Sequence, residues 1–216
     1  MTGAPTPRGR RAARTQAQRR ASSERRLLRA TARLIAQRGT SSVGFGEIAK
    51  AAGCSHGLPS YLFGTKAGLL QALVNDITHR YRAEVIDPAV EGTTGLDALL
   101  IALRAFLDGL DRPVPELRAV YVLLGEALGS DAELQATLND YHATLRSSLE
   151  RWIAEGIEHG QIRASVRPDA QAVLILGMMR GIGYQFIADP FVYDLDALTV
   201  ELIDSVRRSL AVESPS

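Results

Sequence analysis

The run from Cys54 to Lys66 collects a thiol, an imidazole, four hydroxyls and an ammonium in Cys54, His56, Ser55, Ser60, Tyr61, Thr65 and Lys66. A nucleophile needs a base, and the base needs an orienting group, yet this run holds no carboxylate. Elsewhere there is no glycine-rich phosphate loop, no His-Glu-x-x-His pair and no nucleophile elbow. His79, His142 and His159 are scattered and read as surface or core histidines, and Cys54 as a small core residue rather than a redox sensor. What the run can do is hydrogen-bond: its hydroxyls suit phosphate oxygens, and Lys66 is a point charge beside them. No catalytic residue, metal or cofactor is expected.

Charge sharpens that reading. Residues 1–66 carry 13 Lys/Arg against only Glu24 and Glu47, a net of +11, whereas the remainder carries 12 basic and 22 acidic residues, a net of −10. The first segment suits a polyanion partner and the second avoids one. One cysteine excludes an internal disulfide framework and fits a reducing compartment, with the cytoplasm expected. No run approaches the roughly 20 apolar residues that cross a bilayer, so no membrane partner is expected. Residues 1–21, Arg-rich and acid-free, read as a basic disordered arm, although their composition also resembles a transit peptide. The arm would track phosphates or enter a minor groove, or else be a solvated tail.

The elements that position these groups read as helices throughout. Ser22 or Ser23 caps the first, with Leu27, Ala30, Leu34 and Ile35 on one face and Gly39 at its end. A second covers 44–52 and closes at Gly53; a short third covers about 59–63. Thr65 caps a fourth that Pro88 stops, and Thr94 with Asp97 makes a capping-box signature for a fifth that ends near Asp111. Pro115 opens the sixth and Gly129 ends it; Ser130 caps the seventh and Gly160 ends it. Pro168 opens the eighth and Asp194 the ninth. The fold class is therefore all-α, with about nine helices.

The eighth helix is apolar nearly all round from Val173 to Ile187, which requires cover on two sides. It is either a central core helix or, with the ninth, half of a four-helix interface in a homodimer, where Gly177, Gly181 and Gly183 admit a close backbone.

Helices two and three fit a helix-turn-helix at about 44–63, braced by Ile48, Ala49, Ala52 and Gly53. Pro59 is tolerated in it if Leu58 caps the second helix, which puts Ser55 to Gly57 in an extended turn. The bland alternative is a compact helical corner.

The runs "LLRATARLIAQRG", "EIAKAAGCSHG" and "YLFGTKAGLL", in this order and spacing over about residues 25–73, resemble the TetR (tetracycline-repressor) family of bacterial transcription regulators. The resemblance implies a non-catalytic dimeric repressor: a three-helix DNA-binding domain at 22–66 and a ligand-binding, dimerising domain at 67–216. By position it implies DNA contacts at Ser55, His56, Gly57, Leu58, Ser60, Tyr61 and Lys66. Three departures from the family pattern, His56, Val43 with Gly44, and "LPS" at 58–60, touch base readers, so the operator sequence stays open.

A cavity for a largely apolar effector is expected between helices five and eight. Its candidate residues are Phe106, Arg118, Tyr121, Glu126, His142, Trp152, Met178, Met179 and Tyr184, with Arg180 as a further polar partner. The rival readings are an activator or architectural DNA-binding protein without a ligand, and an all-helical carrier or enzyme.

Overall fold

The computed structural model describes residues 15–110, 115–129, 132–189, 191 and 193–212. Arg8, Arg10, Arg11 and Arg14 of the basic segment lie outside them, as does Ser130. Among the described residues the chain forms nine helices and no strand beyond an isolated bridge between Ile162 and Ala211. These are α1 (Gln16–Arg38), α2 (Phe45–Ala52), α3 (Leu58–Phe63), α4 (described below), α5 (Gly95–Leu110), α6 (Pro115–Glu126), α7 (Ala132–Glu158), α8 (Pro168–Ala188) and α9 (Leu195–Leu210).

α1 begins earlier than Ser22. Thr15 accepts from the Gln18 amide at 3.3 Å while the Gln18 side chain accepts from the Thr15 amide at 3.0 Å, a reciprocal cap that satisfies two otherwise orphan donors. Arg19 and Arg20 therefore stand on a helix.

α4 also departs from expectation, because Pro88 does not stop it. Lys66–Tyr81 continues through a π-helical turn, Arg82–Ile86, into Asp87–Val90, and Tyr81, Arg82, Ile86 and Asp87 all keep right-handed helical angles. A proline has no N–H to offer and its ring collides with the carbonyl four residues back. Widening the preceding turn is how a helix carries one through.

Two apolar clusters form. One joins α1 and α2 to the start of α4, and extends to Ala119 and Leu123 of α6 and Leu134 and Leu138 of α7. The other gathers α5, the second half of α7, α8 and α9 around Leu99, Leu103, Leu107, Ile153 and Ile175. α4, α6 and α7 thus run from the N-terminal head into the body.

The start of α5 is pressed against α7. Thr94 does not bond to Asp97; its hydroxyl lies 3.5 Å from His159 Nδ1, and Asp97 accepts from Gln161 Nε2 at 3.2 Å. The first α5 amides instead donate to α7 and the loop after it: Gly95 N–H to Glu155 Oε2 at 3.4 Å and Leu96 N–H to Gln161 Oε1 at 3.0 Å. Gly95 has φ +61°, and a Cβ there would stand 2.9 Å from Gly156 Cα. Gly95→Ala would therefore force two backbones apart, and we expect it to lower unfolding free energy by about 1–3 kcal/mol. Urea denaturation checks this; an unchanged midpoint would mean that the two helices separate at no cost.

Candidate nucleic-acid interface and bundle cavity

The head's outer tip is built from small residues. α2 buries Ile48, Ala49 and Ala52 and ends on Gly53 in a left-handed conformation, whose amide donates to Ala49 and Lys50 carbonyls. Ser55 to Leu58 then closes a tight turn, with Leu58 N–H donating to the Ser55 carbonyl at 3.1 Å. The turn is not the extended segment expected from Pro59, and the cap is Gly57, not Leu58. Pro59 sits in the first turn of α3, where the missing amide has no helical partner to lose. Leu58 adopts helical angles despite the following proline because its side chain is half-buried against the head core.

Around this turn Ser55, His56, Gly57, Ser60, Tyr61 and Lys66 are exposed, and Leu58 is half-buried. Tyr61 is 74% exposed, with the Arg20 guanidinium 5.9 Å from its ring centroid. α1 thereby brings a cation to the recognition tip. His56 lies over the first turn of α2: a Cβ at Gly46 would meet its Nε2 at 2.6 Å. Lys66 Nζ donates to the Thr40 carbonyl. Cys54 is half-buried, its Sγ 3.6 Å from the Ala52 carbonyl.

Thr40 fastens this head to the body. Its amide donates to Glu126 Oε1 at 3.0 Å and its hydroxyl to Glu126 Oε2. A carboxylate at the end of α6 thus holds the loop between α1 and α2.

In the body, a cavity of about 320 Å³ opens between α4, α5, α6, α7 and α8. Of the nine residues expected there, Phe106, Trp152 and Met179 line it, and so does Arg180. The other six do not. Arg118 is exposed, Met178 is 38% exposed and Tyr184 is 64% exposed, while Glu126 is engaged with Thr40. Tyr121 stands behind the wall, its hydroxyl donating to the Arg180 carbonyl at 3.3 Å and packed where Gly183 leaves no room for a side chain. His142 stacks beside Tyr141, ring centroids 5.6 Å apart.

Sequence reading missed the α4 contribution: Arg80, Tyr81, Glu84 and Ile86 line the cavity, and they lie at or beside the π-helical turn. Its one signal was Pro88 inside an otherwise periodic helix. Tyr141, Leu145 and Leu149 of α7 were missed as well.

The cavity's charges differ in how they are met. Arg80 bonds Asp76 at 2.9 Å and lies 3.9 Å from Glu116. The Arg180 guanidinium instead lies 4.9 Å from the Tyr141 ring centroid and 5.8 Å from that of Tyr121, with Nε and Nη2 buried and without a hydrogen-bond partner. Burial raises the Tyr121 phenol above its ordinary pKa, so it is a neutral neighbour. Burial, then Arg180 and Arg146, lowers the His142 pKa, so its ring is neutral at neutral pH, and its Nε2 too is buried without a partner. Among the described residues no group of three or more His, Cys, Asp or Glu side chains is placed to hold a metal ion. No described helix is long and apolar enough to cross a membrane.

Comparison with known proteins accords with this architecture. Residues 27–73 match the family described as bacterial regulatory proteins, tetR family, and residues 95–210 match the C-terminal domain described for BetI-type transcriptional repressors. Two proteins described as HTH-type transcriptional regulators, from two strains of Mycobacterium tuberculosis, are 31% identical over 106 residues, 49% of this chain and 52% of theirs. The chain therefore spans about half the length of the curated relatives it matches. Among solved structures it is similar to a TetR-family transcriptional regulator from Rhodococcus sp., at 25% identity and TM-score 0.79 over 88% of this chain and 100% of that one. In fold it is similar to NalD, the secondary repressor of the MexAB-OprM multidrug efflux pump in Pseudomonas aeruginosa (18% identity, TM-score 0.73, 91% of this chain and 100% of that one). It shares that fold as well with a transcriptional regulator from Saccharomonospora viridis in complex with choline (19% identity, TM-score 0.73, 89% of this chain and 100% of that one). Matched at both its head and its body, the chain belongs to the TetR family of bacterial transcriptional regulators.

Proposed function

We propose that the protein is a cytoplasmic repressor that binds a palindromic operator as a homodimer and is released by a small, largely apolar effector. The observation that carries this reading is the course of α4. Its first residue, Lys66, stands at the exposed tip, and its π-helical turn, Arg82–Ile86, forms part of the cavity wall. One continuous helix serves both sites.

In this reading residues 22–66 bind DNA and 67–216 hold the effector and the second copy. Ser55, Ser60 and Tyr61 donate to phosphates and Lys66 adds charge, whereas His56, Gly57 and Leu58 approach base edges in the major groove. Phe106, Trp152 and Met179 meet the effector. The dimer uses the outward face of α8, where Val173 is 56% and Leu174 58% exposed, and Val200 of α9, 51% exposed. A Cβ at Gly177 or Gly181 would meet no atom of this chain within 4 Å, so both leave room for another helix. The two heads must then stand about 34–36 Å apart, or a multiple, to enter major grooves on one side of a duplex. An effector displaces them only if it binds better to a form in which they are misplaced.

Two substitutions test the reading on an operator obtained by selection from random duplexes. Tyr61→Ala removes an exposed phenol and leaves the fold intact; losing a hydrogen bond to a charged phosphate should weaken operator binding about tenfold, read by fluorescence anisotropy. Unchanged affinity would remove Tyr61 from the interface. Leu174→Arg places a charge in the proposed dimer seam. Sedimentation should show a monomer, with operator affinity down more than about a hundredfold as the two half-sites bind independently. A wild-type protein that sediments as a monomer and binds operator equally well would sink the dimer.

A further inference from the structure

Arg180, a buried charge in the cavity wall, is a feature that a purely apolar effector does not explain. Its side chain lines the wall beside Met179 and Leu176, yet its Nε and Nη2 are buried and make no hydrogen bond of ordinary geometry. A buried ion left in that condition is disfavoured, and a guanidinium cannot escape by losing its proton. Among the described residues no carboxylate pairs with it; its close neighbours are Tyr121 and Tyr141, whose rings and phenol oxygens answer its charge in part and leave Nε and Nη2 without a hydrogen bond. His142 Nε2 is a third buried nitrogen without a partner, near enough to feel the Arg180 field. Arg80, on the opposite wall, shows what the same residue type looks like when it is satisfied, held by Asp76 and Glu116.

We propose that the cavity binds an organic carboxylate with an apolar body, its acid group paired in fork geometry with Arg180 and its body lying along Phe106, Leu145, Leu149 and Trp152. The proposal rests on the effector reading above and narrows it to a chemical class. Guanidinium and carboxylate match in planar, two-bond geometry, and desolvated pairs of this kind are strong where both partners are otherwise unmet. At about 30 Å³ per water-sized group, the cavity holds roughly ten such groups. The body is thus of about ten heavy atoms, whether a straight chain or a ring with a short arm. A quaternary ammonium would meet Arg180 as a like charge and find the Tyr121 and Tyr141 faces already occupied.

Trp152 is the only tryptophan in the chain and lines the cavity, so its fluorescence reports occupancy directly. The full-length protein is titrated with decanoate, 1-decanol and decyltrimethylammonium, which share a chain and differ in head-group charge. Decanoate is expected to bind at least tenfold more tightly than decanol, and the cation more weakly than either. Arg180→Met keeps the stem and removes the charge; it should bring decanoate down to the affinity of decanol while leaving decanol unchanged. Equal affinities for decanoate and decanol in the wild-type protein overturn the proposal without reference to any variant. So do tighter binding of the cation, a decanoate preference that survives Arg180→Met, or no fluorescence response to any probe. Operator release is measured on the same samples. A decanoate preference with no effect on operator binding upholds the acid site and defeats the repressor-release reading, so the two fail separately.

Discussion

The path of α4 past Pro88 is the constraint on which the rest of the architecture depends. The α4 residues that wall the cavity, from Ile77 to Asp87, all precede the proline, and the turn that admits it, Arg82–Ile86, is itself part of that wall. Opening the turn at Arg82–Ile86 keeps the helical direction through Asp87–Val90 and shifts side chains that a regular helix would stack elsewhere. Glu84, Val85 and Ile86 face the cavity as a result.

A lever is useful only if its two ends are fixed to different bodies. The upper end of α4 is tied into the head core by Leu69, Leu70, Leu73 and Val74, and Lys66 reaches the Thr40 carbonyl. The same Thr40 is held from the other side by the Glu126 carboxylate. α6, whose Leu117 and Val120 line the cavity, therefore meets α4 again at Thr40. Charge-assisted hydrogen bonds to one backbone position are short-ranged and directional, so the Thr40 loop registers small relative shifts of α4 and α6.

Much of this was legible in the residues. Gly39, Gly53 and Gly160 end helices with positive φ, and Pro115 and Pro168 open them, because backbone sterics decide those positions with little help from packing. The start of α1 was missed because no apolar residue larger than alanine lies between Thr15 and Leu27 to mark a periodic face, although Thr15 and Gln18 carry the capping signature. Pro88 was misread for the opposite reason: its local effect is strong, and only tertiary packing of the flanking turns reveals that the helix accommodates it. At the cavity the limit was angular. Met178 and Met179 are neighbours in sequence but point about 100° apart on a helix, one outward and one into the cavity. Composition names both and periodicity of an all-apolar helix separates neither.

α8 shows why such a helix is apolar all round. Leu176, Met179 and Arg180 face the cavity and Gly183 receives Tyr121, while Val173, Leu174, Gly177, Met178, Gly181 and Tyr184 face away from the body. Gly183 is thus an internal fit within one chain, unlike Gly177 and Gly181, and only the latter two are free to admit a second copy. In the proposed dimer a ligand on the inner side and a partner on the outer side share one helix a single turn thick. A displacement of Arg180 or Met179 by an occupant is then passed to Gly177 and Gly181, where close backbone packing tolerates little change. In the proposed repressor, that arrangement would let one small molecule in each subunit alter the spacing of both heads at once.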